Sequence, residues 1–409
     1  MNYFKVLYIL AFYLITLIIF VFGGALQYLL GISNTMLTFF LVVFIFSVYA
    51  IYAILKQRIV LNRITFFSIA YLSFIILIGL IRNSNIISIL TYLIFPLMPL
   101  AVFLFSYINY KESYISFQKI FRLYFYISLI QLPVLLVQKN FYNLLIGINN
   151  SGQKIEWFDF MFGTFFIKSD HSLGIFILII VATILFKPEK IKNIVKWPKI
   201  SILYLCVTLF MTESNISKLF LVILLSTFFI IPFYKKHAKT LRFKIAVGLL
   251  ASTVLFAGYS VRNKDFIQNR LGGKLEQQFS IKNAEKFYKL KTAKRFQIVM
   301  VAYSKIKTKW IGDGPYSYFN IRTGKFKQTR HFTQLIWTYF DLGIFGIILV
   351  LAYILSLTSY LDIDKGLPYL LFLGVFLVYS FYTTIFSDIT IIFGVFTIFN
   401  KTNQFKTLL

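Results

Sequence analysis

The chain has 409 residues, of which 59% are hydrophobic and 14% are charged, and its mean hydropathy of +0.78 is too high for a soluble domain, where roughly half of the residues are apolar. Its net charge of +28 raises the question of nucleic acid, but the basic residues lie in loops between apolar runs, where membrane topology explains them, so we expect no nucleic-acid partner. The single cysteine, Cys206, excludes a disulfide framework within this chain and a thiolate metal cluster.

Apolar runs of roughly 15 to 23 residues recur along the chain, and this is the length that crosses the hydrocarbon core of a bilayer as a helix. The runs are too long for the strands of a membrane barrel, so we predict an all-α polytopic membrane protein. The predicted spans, about twelve in number, are 6–22, 36–55, 64–81, 86–108, 123–137, 173–186, 200–211, 219–233, 245–259, 335–357, 367–381 and 389–399. Lys5 precedes the first run and no small-residue cleavage site follows it, which predicts a retained anchor rather than a signal peptide.

Lys and Arg concentrate in every second short loop within 1–259. The basic loops lie at 56–63, 111–122, 187–199 and 235–244. The loops almost free of Lys and Arg lie at 23–35, 82–85 and 212–217. Positive loops stay in the cytoplasm, so the alternation predicts that both termini are cytoplasmic. Two longer loops, 138–172 and 260–333, are then external, and the predicted domains are spans one to nine at 1–259, a large basic external loop at 260–333 and spans ten to twelve at 334–409.

The stretch 260–333 is crowded with Lys and Arg, which indicates an anionic substrate at the membrane surface. Within it, apolar residues recur at helical steps over 289–310, with Arg295 beside that face. This pattern predicts an amphipathic helix that rests on the outer leaflet or caps the helix bundle. Residues 311–315, Ile-Gly-Asp-Gly-Pro, have the composition of a tight turn, and a structural role is the favoured interpretation of the glycines.

A polar stripe follows the basic loop. His331, Gln334, Thr338 and Asp341 share one face, about 80° wide, of a predicted helix. A polar stripe that enters an apolar span must face the interior of the bundle or a water-filled cavity. Asp341 is therefore a functional candidate, and the alternative is that it hydrogen-bonds a neighbouring helix.

The chain has three histidines, and His331 is the best candidate for a general base, since imidazole titrates near neutral pH. His237 lies in a lysine-rich loop, where we predict a solvated side chain. His171 precedes the sixth predicted span on the external side and is a candidate to line the same cavity. On that side the turn 212–218 also carries Glu213 and Lys218, for which a simple ion pair or a snorkelling lysine is the alternative interpretation.

These residues together resemble the O-antigen polymerase and O-antigen ligase family of envelope glycosyltransferases, over roughly residues 212–346. That family has a large external loop, a glycine-rich turn, and a histidine that begins a helix with the motif acid-Leu-Gly-aliphatic-x-Gly. The matching residues here are Arg295 in the loop helix, the turn 312–319, His331, the motif at 341–346 and Ser217-Lys218 at a middle span. Gly163-Thr164-Phe165 is similar to a further family segment.

The sequence departs from the family pattern at three positions. Phe332 follows the histidine where the family usually has Asn, and Asp341 stands where Glu is more usual. Lys218 replaces an arginine, and an ammonium cannot form the bidentate fork of arginine on phosphate.

The resemblance implies a GT-C-like glycosyltransferase bundle in the bacterial inner membrane that polymerises polyprenyl-pyrophosphate-linked oligosaccharide repeat units without a cofactor or a metal. His331 would be the base, with Asp341 as a second catalytic residue. The residues implied to bind pyrophosphate are Arg295, Lys218 and Arg330, and those implied to line the cavity are His171, Gln334 and Glu213. The implied partners are the lipid-linked oligosaccharide, membrane lipid, a chain-length regulator and a flippase.

Three alternatives remain open from the residues. An O-antigen ligase would differ from a polymerase only in its acceptor. A lipid-linked oligosaccharide flippase or other transporter would also have about twelve spans, but such folds favour short external loops and repeated halves, which this sequence lacks. A metal-dependent glycosyltransferase would carry acids in its first external loop, and 23–35 has none.

Overall fold

The computed structural model describes residues 2–57, 59–153, 155–212, 214–237, 310–317, 334–361, 374, 377 and 388–399. The regular elements of these residues are helices, which confirms the predicted all-α class. Six helical stretches are long and apolar enough to cross a membrane, as in a multi-pass membrane protein: Tyr3–Leu30, Met36–Lys56, Arg63–Ile81, Ile86–Glu112, Phe117–Asn140 and Leu335–Ser359. The predicted spans at 245–259 and 367–381 and residues 289–309 of the predicted amphipathic helix lie outside the described set, apart from 374 and 377.

The helices follow one another along the chain with short connections in most places. They are α1 (Asn2–Leu17), α2 (Gly23–Leu30), α3 (Asn34–Lys56), α4 (Arg63–Ile81), α5 (Ile86–Glu112), α6 (Phe117–Asn140), α7 (Tyr142–Ile146), α8 (Asp170–Phe186), α9 (Pro188–Ile191), α10 (Pro198–Met211), α11 (Asn215–His237), α12 (Gln334–Ser359) and α13 (Ile389–Phe399). Side-chain oxygens accept from backbone N–H groups at the starts of α3, α4, α5 and α6, where the capping residues are Ser33, Asn62, Asn85 and Ser116.

The predicted loop at 23–35 is wrong for its first eight residues, which form α2. A π-helical turn at Ile18–Phe22 connects α1 to α2, so the first helical stretch runs on to Leu30. The glycine pair at 23 and 24 serves close packing rather than a turn. A Cβ on Gly24 would lie 2.3 Å from the carbonyl oxygen of Phe165, and the Gly24 N–H donates to the Thr164 carbonyl at 3.2 Å. The chain turns only after Leu30, at Gly31, whose φ is +69°.

Tyrosine hydroxyls donate to backbone carbonyls of the two proline-containing helices. Pro133 lies inside α6 and has no N–H for the carbonyl of Leu129, and the Tyr204 hydroxyl donates to that carbonyl at 2.7 Å. In α5, which contains Pro96 and Pro99, the Tyr353 hydroxyl donates to the Pro96 carbonyl at 2.8 Å. The two tyrosines thereby tie these helices to helices distant in sequence.

One end of the bundle collects the N-terminus and the ends of several helices that carry lysine. We call it the basic end. Lys56 at the end of α3 pairs with Glu112 at the end of α5 at 3.1 Å. The ring of Phe4 lies 5.7 Å from that of Tyr52, and Lys187 after α8 lies 5.4 Å from the ring of Phe399 at the end of α13. The starts of α8, α11, α12 and α13 therefore lie towards the opposite end.

A non-helical segment at 160–169 lies among the helices near the opposite end, and its residues are buried except Thr164, Lys168 and Ser169. Its phenylalanines are in the core, and its backbone bonds to three buried glutamine side chains: Gln27 accepts from the N–H of Ile167 at 2.6 Å, Gln131 from Thr164 at 3.0 Å and Gln138 from Gly163 at 2.9 Å. Non-helical backbone at membrane depth is tolerated only where protein or water satisfies it. The glutamines supply these partners.

We predict that Gln131→Leu destabilises the protein, because it leaves the part-buried N–H of Thr164 without its acceptor. One such group costs about 1–3 kcal/mol in the free energy of unfolding. Thermal unfolding of the purified protein in detergent measures the effect. Gln118→Leu is the control, since Gln118 is exposed on the same helix. Equal shifts in the two variants would contradict the role assigned to Gln131.

Candidate functional site

The tight turn predicted at 311–315 packs directly against α12. Asp313 and Gly314 donate their backbone N–H groups to the carbonyls of Phe340 and Asp341, at 3.0 and 2.9 Å. A Cβ on Gly312 would lie 2.1 Å from the carbonyl carbon of Asp341. The turn therefore occupies a place on the helix that only glycine at 312 allows.

A kink in α12 makes this packing possible. Gly343 has a φ of +74° and a ψ of −162°, a conformation essentially restricted to glycine, and a Cβ there would lie 2.5 Å from the Trp310 carbonyl oxygen. That same carbonyl accepts from the N–H of Phe345 at 3.4 Å. Trp310, the last residue of the predicted amphipathic helix, thus lies in the turn. Arg82 at the end of α4 also holds the turn, because its Nε donates to the Gly312 carbonyl at 2.9 Å.

Asp341 is fully buried where the turn meets the helix. Its Oδ1 accepts from the Ser317 hydroxyl at 2.8 Å. Its carboxyl group also interacts electrostatically with the hydroxyls of Tyr71, Tyr92 and Tyr316. Burial raises the pKa of Tyr316, with Thr91 acting against the shift and Asp341 adding to it, so this hydroxyl stays protonated. Asp341 therefore bonds the turn to α12, which is close to the structural alternative that the sequence leaves open for it.

A second polar cluster lies where α8, α11 and α13 begin, and we call it the His171 cluster. His171 Nδ1 lies 2.9 Å from the Ser214 hydroxyl and 3.4 Å from Asp170 Oδ2, and the Ser214 hydroxyl lies 2.7 Å from that of Ser217. Gly174 allows this approach, because a Cβ there would lie 2.4 Å from Ser217 Oγ. An imidazole between a carboxylate and a hydroxyl can accept or pass on a proton.

Asp388 adds a second carboxyl group to the His171 cluster. It precedes α13 directly, accepts from the Ile391 N–H at 3.1 Å and accepts the Ser172 hydroxyl at 2.5 Å. Burial raises the pKa of Asp388, while the hydrogen bond from Ser172 and the charge of His171 act in the opposite direction. A partly exposed imidazole, at 29% side-chain exposure, therefore lies near two carboxyl groups.

Sequence reasoning singled out His171 and Lys218 but missed Asp388 and Ser214. Lys218 follows Ser217 directly and is partly exposed, so the structure brings its segment to His171. A signal for Asp388 was present in the sequence: it is an aspartate directly before the last apolar run, as Asp170 is an aspartate shortly before the sixth predicted span.

The side chains of the remaining predicted site residues lie outside the residues that the structure describes. Gln334 begins α12 on the side of the turn, and its side chain is outside the described set. His331, Arg295, Arg330 and Glu213 also lie outside the residues that the structure describes. Within the described ranges, no three His, Cys, Asp or Glu side chains form a group that could hold a metal ion.

No family model, curated protein or solved structure matches this chain. Its functional interpretation therefore depends on the chemistry of these two clusters and on the residues of the sequence.

We predict that Gly343→Ala displaces the turn from α12, because the backbone conformation disfavours alanine and its Cβ would meet the Trp310 carbonyl. The backbone strain alone costs about 1–3 kcal/mol. Gly152→Ala is the matched control, since Gly152 also has a positive φ, +67°, with nothing within 4 Å of a Cβ. The loss in thermal midpoint should be larger for Gly343→Ala. A smaller or equal loss would show that the turn does not depend on the kink.

Proposed function

We propose that this protein is a membrane glycosyltransferase that polymerises polyprenyl-pyrophosphate-linked oligosaccharide repeat units into a surface polysaccharide. The observation that carries the proposal is the His171 cluster at the helix starts of an apolar bundle, with Lys218 next in the chain to Ser217 of that cluster. Ionisable side chains within membrane helices are costly, so they mark functional sites by default. An imidazole with carboxyl partners, in a segment that also carries a lysine, suits a reaction that removes a proton from a hydroxyl and expels an anion.

The proposed reaction is an inverting displacement at a sugar carbon. A base takes the proton from an acceptor hydroxyl, whose oxygen bonds to the anomeric carbon of the donor as the bond from that carbon to pyrophosphate breaks. His331 is the proposed base, and His171 is the second candidate. Polyprenyl pyrophosphate leaves with the bonding electron pair, and Arg295, Arg330 and Lys218 stabilise its charge.

The proposed arrangement has about twelve spans in a GT-C-like bundle in the bacterial inner membrane. The basic end would be cytoplasmic, because basic loops stay inside. The His171 cluster and the turn against α12 would then lie at the external side, where lipid-linked repeat units are joined. Membrane lipid, a chain-length regulator and a flippase are the proposed partners.

We predict that residue 237 is cytoplasmic and residue 282 is external. In a Cys206→Ser background, an impermeant maleimide should label Lys282→Cys but not His237→Cys in cells with a permeabilised outer envelope. Lysed cells provide the control, because both positions should then react. Labelling of position 237 alone in the same permeabilised cells before lysis would invert the proposed topology.

We predict that deletion of the gene leaves single repeat units on the lipid anchor and removes the longer rungs of the polysaccharide ladder. Lipid-linked long polymer would instead indicate a ligase, and repeat units stranded inside the cell would indicate a flippase.

Complementation with His331→Ala should lower chain extension by about 10²–10⁴-fold while donor binding persists, as expected for loss of a general base.

Further tests sharpen this experiment. Complementation with His237→Ala should restore the full ladder, because that histidine lies outside the proposed site. Arg295→Lys should weaken donor binding, because a point charge does not replace a planar guanidinium on pyrophosphate. Extension by the purified enzyme should survive EDTA. Normal polymer from His331→Ala would remove that histidine from the mechanism, and full loss on chelation would favour a metal-dependent reaction.

A further inference from the structure

A cavity of about 390 Å³ opens at the basic end of the bundle, among the ends of helices that are far apart in sequence. We call it the basic-end cavity. Its apolar wall includes Phe12 of α1, Ile120 of α6 and Phe396 of α13, and its volume lies within the range of small-molecule sites. The proposed reaction does not use this cavity, since the His171 cluster lies at the opposite end.

Two ammonium groups border the cavity and are held there by aromatic rings. Lys187 Nζ lies 5.7 Å from the centre of the Phe117 ring and 5.4 Å from that of Phe399. Lys190 Nζ lies 5.9 Å from the Phe117 ring. Cation–π contacts at these distances restrict the lysine side chains. The described residues that line the cavity include both lysines and no carboxylate, so the lining favours an anion.

Two serines share the lining of the cavity with the lysines. Ser116 lines the cavity and is the N-cap of α6, a helix of 24 residues whose first N–H groups point towards this end. Ser106 also lines it and is only 5% exposed. Its hydroxyl has no hydrogen-bond partner among the described residues. A buried hydroxyl without a partner is costly, and an oxygen of a bound group would remove that cost.

We propose that the basic-end cavity binds a phosphate group. The lysines would neutralise its charge, and Ser106 would donate to one of its oxygens. Phosphate fits this combination because it presents several strong acceptors on one anion. The phosphate could belong to an anionic lipid, whose acyl chains would leave along the apolar wall, or to a soluble compound. Basic pockets between membrane helices bind lipid headgroups in this way.

Retention of phosphatidylglycerol by the full-length protein tests the proposal. The protein is purified in detergent with equal amounts of phosphatidylglycerol and phosphatidylcholine, and bound lipid is counted by native mass spectrometry, with and without millimolar inorganic phosphate. Wild type should retain the anionic lipid or, in the soluble case, bind inorganic phosphate. Lys187→Gln/Lys190→Gln should lose roughly tenfold or more of this binding. Lys192→Gln is the control, because that lysine is exposed and does not line the cavity.

Ser106→Ala keeps every charge and separates the cavity from general attraction to lipid. It should weaken binding by roughly three- to tenfold without lowering the thermal midpoint. Retained phosphatidylglycerol that millimolar phosphate does not displace assigns the site to a lipid, whereas displacement assigns it to a soluble phosphate compound. Equal losses in Lys192→Gln and the double variant, or unchanged binding in Ser106→Ala, would overturn the proposal.

Discussion

The structure depends on one constraint, the need to satisfy every backbone N–H and carbonyl group in an apolar environment. Helices meet it by themselves, and so the described chain is helical wherever it is most apolar. The exceptions are places where other groups supply the partners. The buried segment at 160–169 bonds to glutamine side chains, the proline-containing helices receive tyrosine hydroxyls, and the turn at 310–317 bonds to carbonyls at a kink in α12.

The same constraint separates structural polar groups from candidate functional ones. Asp341 is fully buried and bonded to the turn, so its carboxyl group holds two pieces of the chain together. His171 has polar neighbours on three helices yet keeps part of its ring exposed, at 29%. An exposed edge allows a ligand to reach an oriented imidazole. For this reason the proposed chemistry includes the His171 cluster. The contacts of Asp341 support the helix on which the motif at 341–346 lies, and its catalytic role stays a prediction.

Charge and packing divide the bundle into two ends with different chemistry. At the basic end Lys187 and Lys190 lie against aromatic rings beside a cavity, whereas the opposite end holds the carboxyl, hydroxyl and imidazole groups near His171. The lengths of the apolar runs predicted the central spans well, because a long apolar run has no other stable form in a bilayer. The predicted loop was wrong at 23–30, because the π-helical turn at Ile18–Phe22 carries the first helical stretch on to Leu30.

The sequence by itself determined that this is a helical membrane protein, which loops are basic, and which rare ionisable residues adjoin apolar runs, because hydropathy and charge act locally along the chain. Only the tertiary structure decided what those residues meet. Asp388 is 217 positions from His171 in the numbering, and it joins the same cluster because α8 and α13 pack together. The docking of the turn at 310–317 likewise needs a kink at Gly343 and a guanidinium from Arg82, and no periodicity in the sequence records that contact.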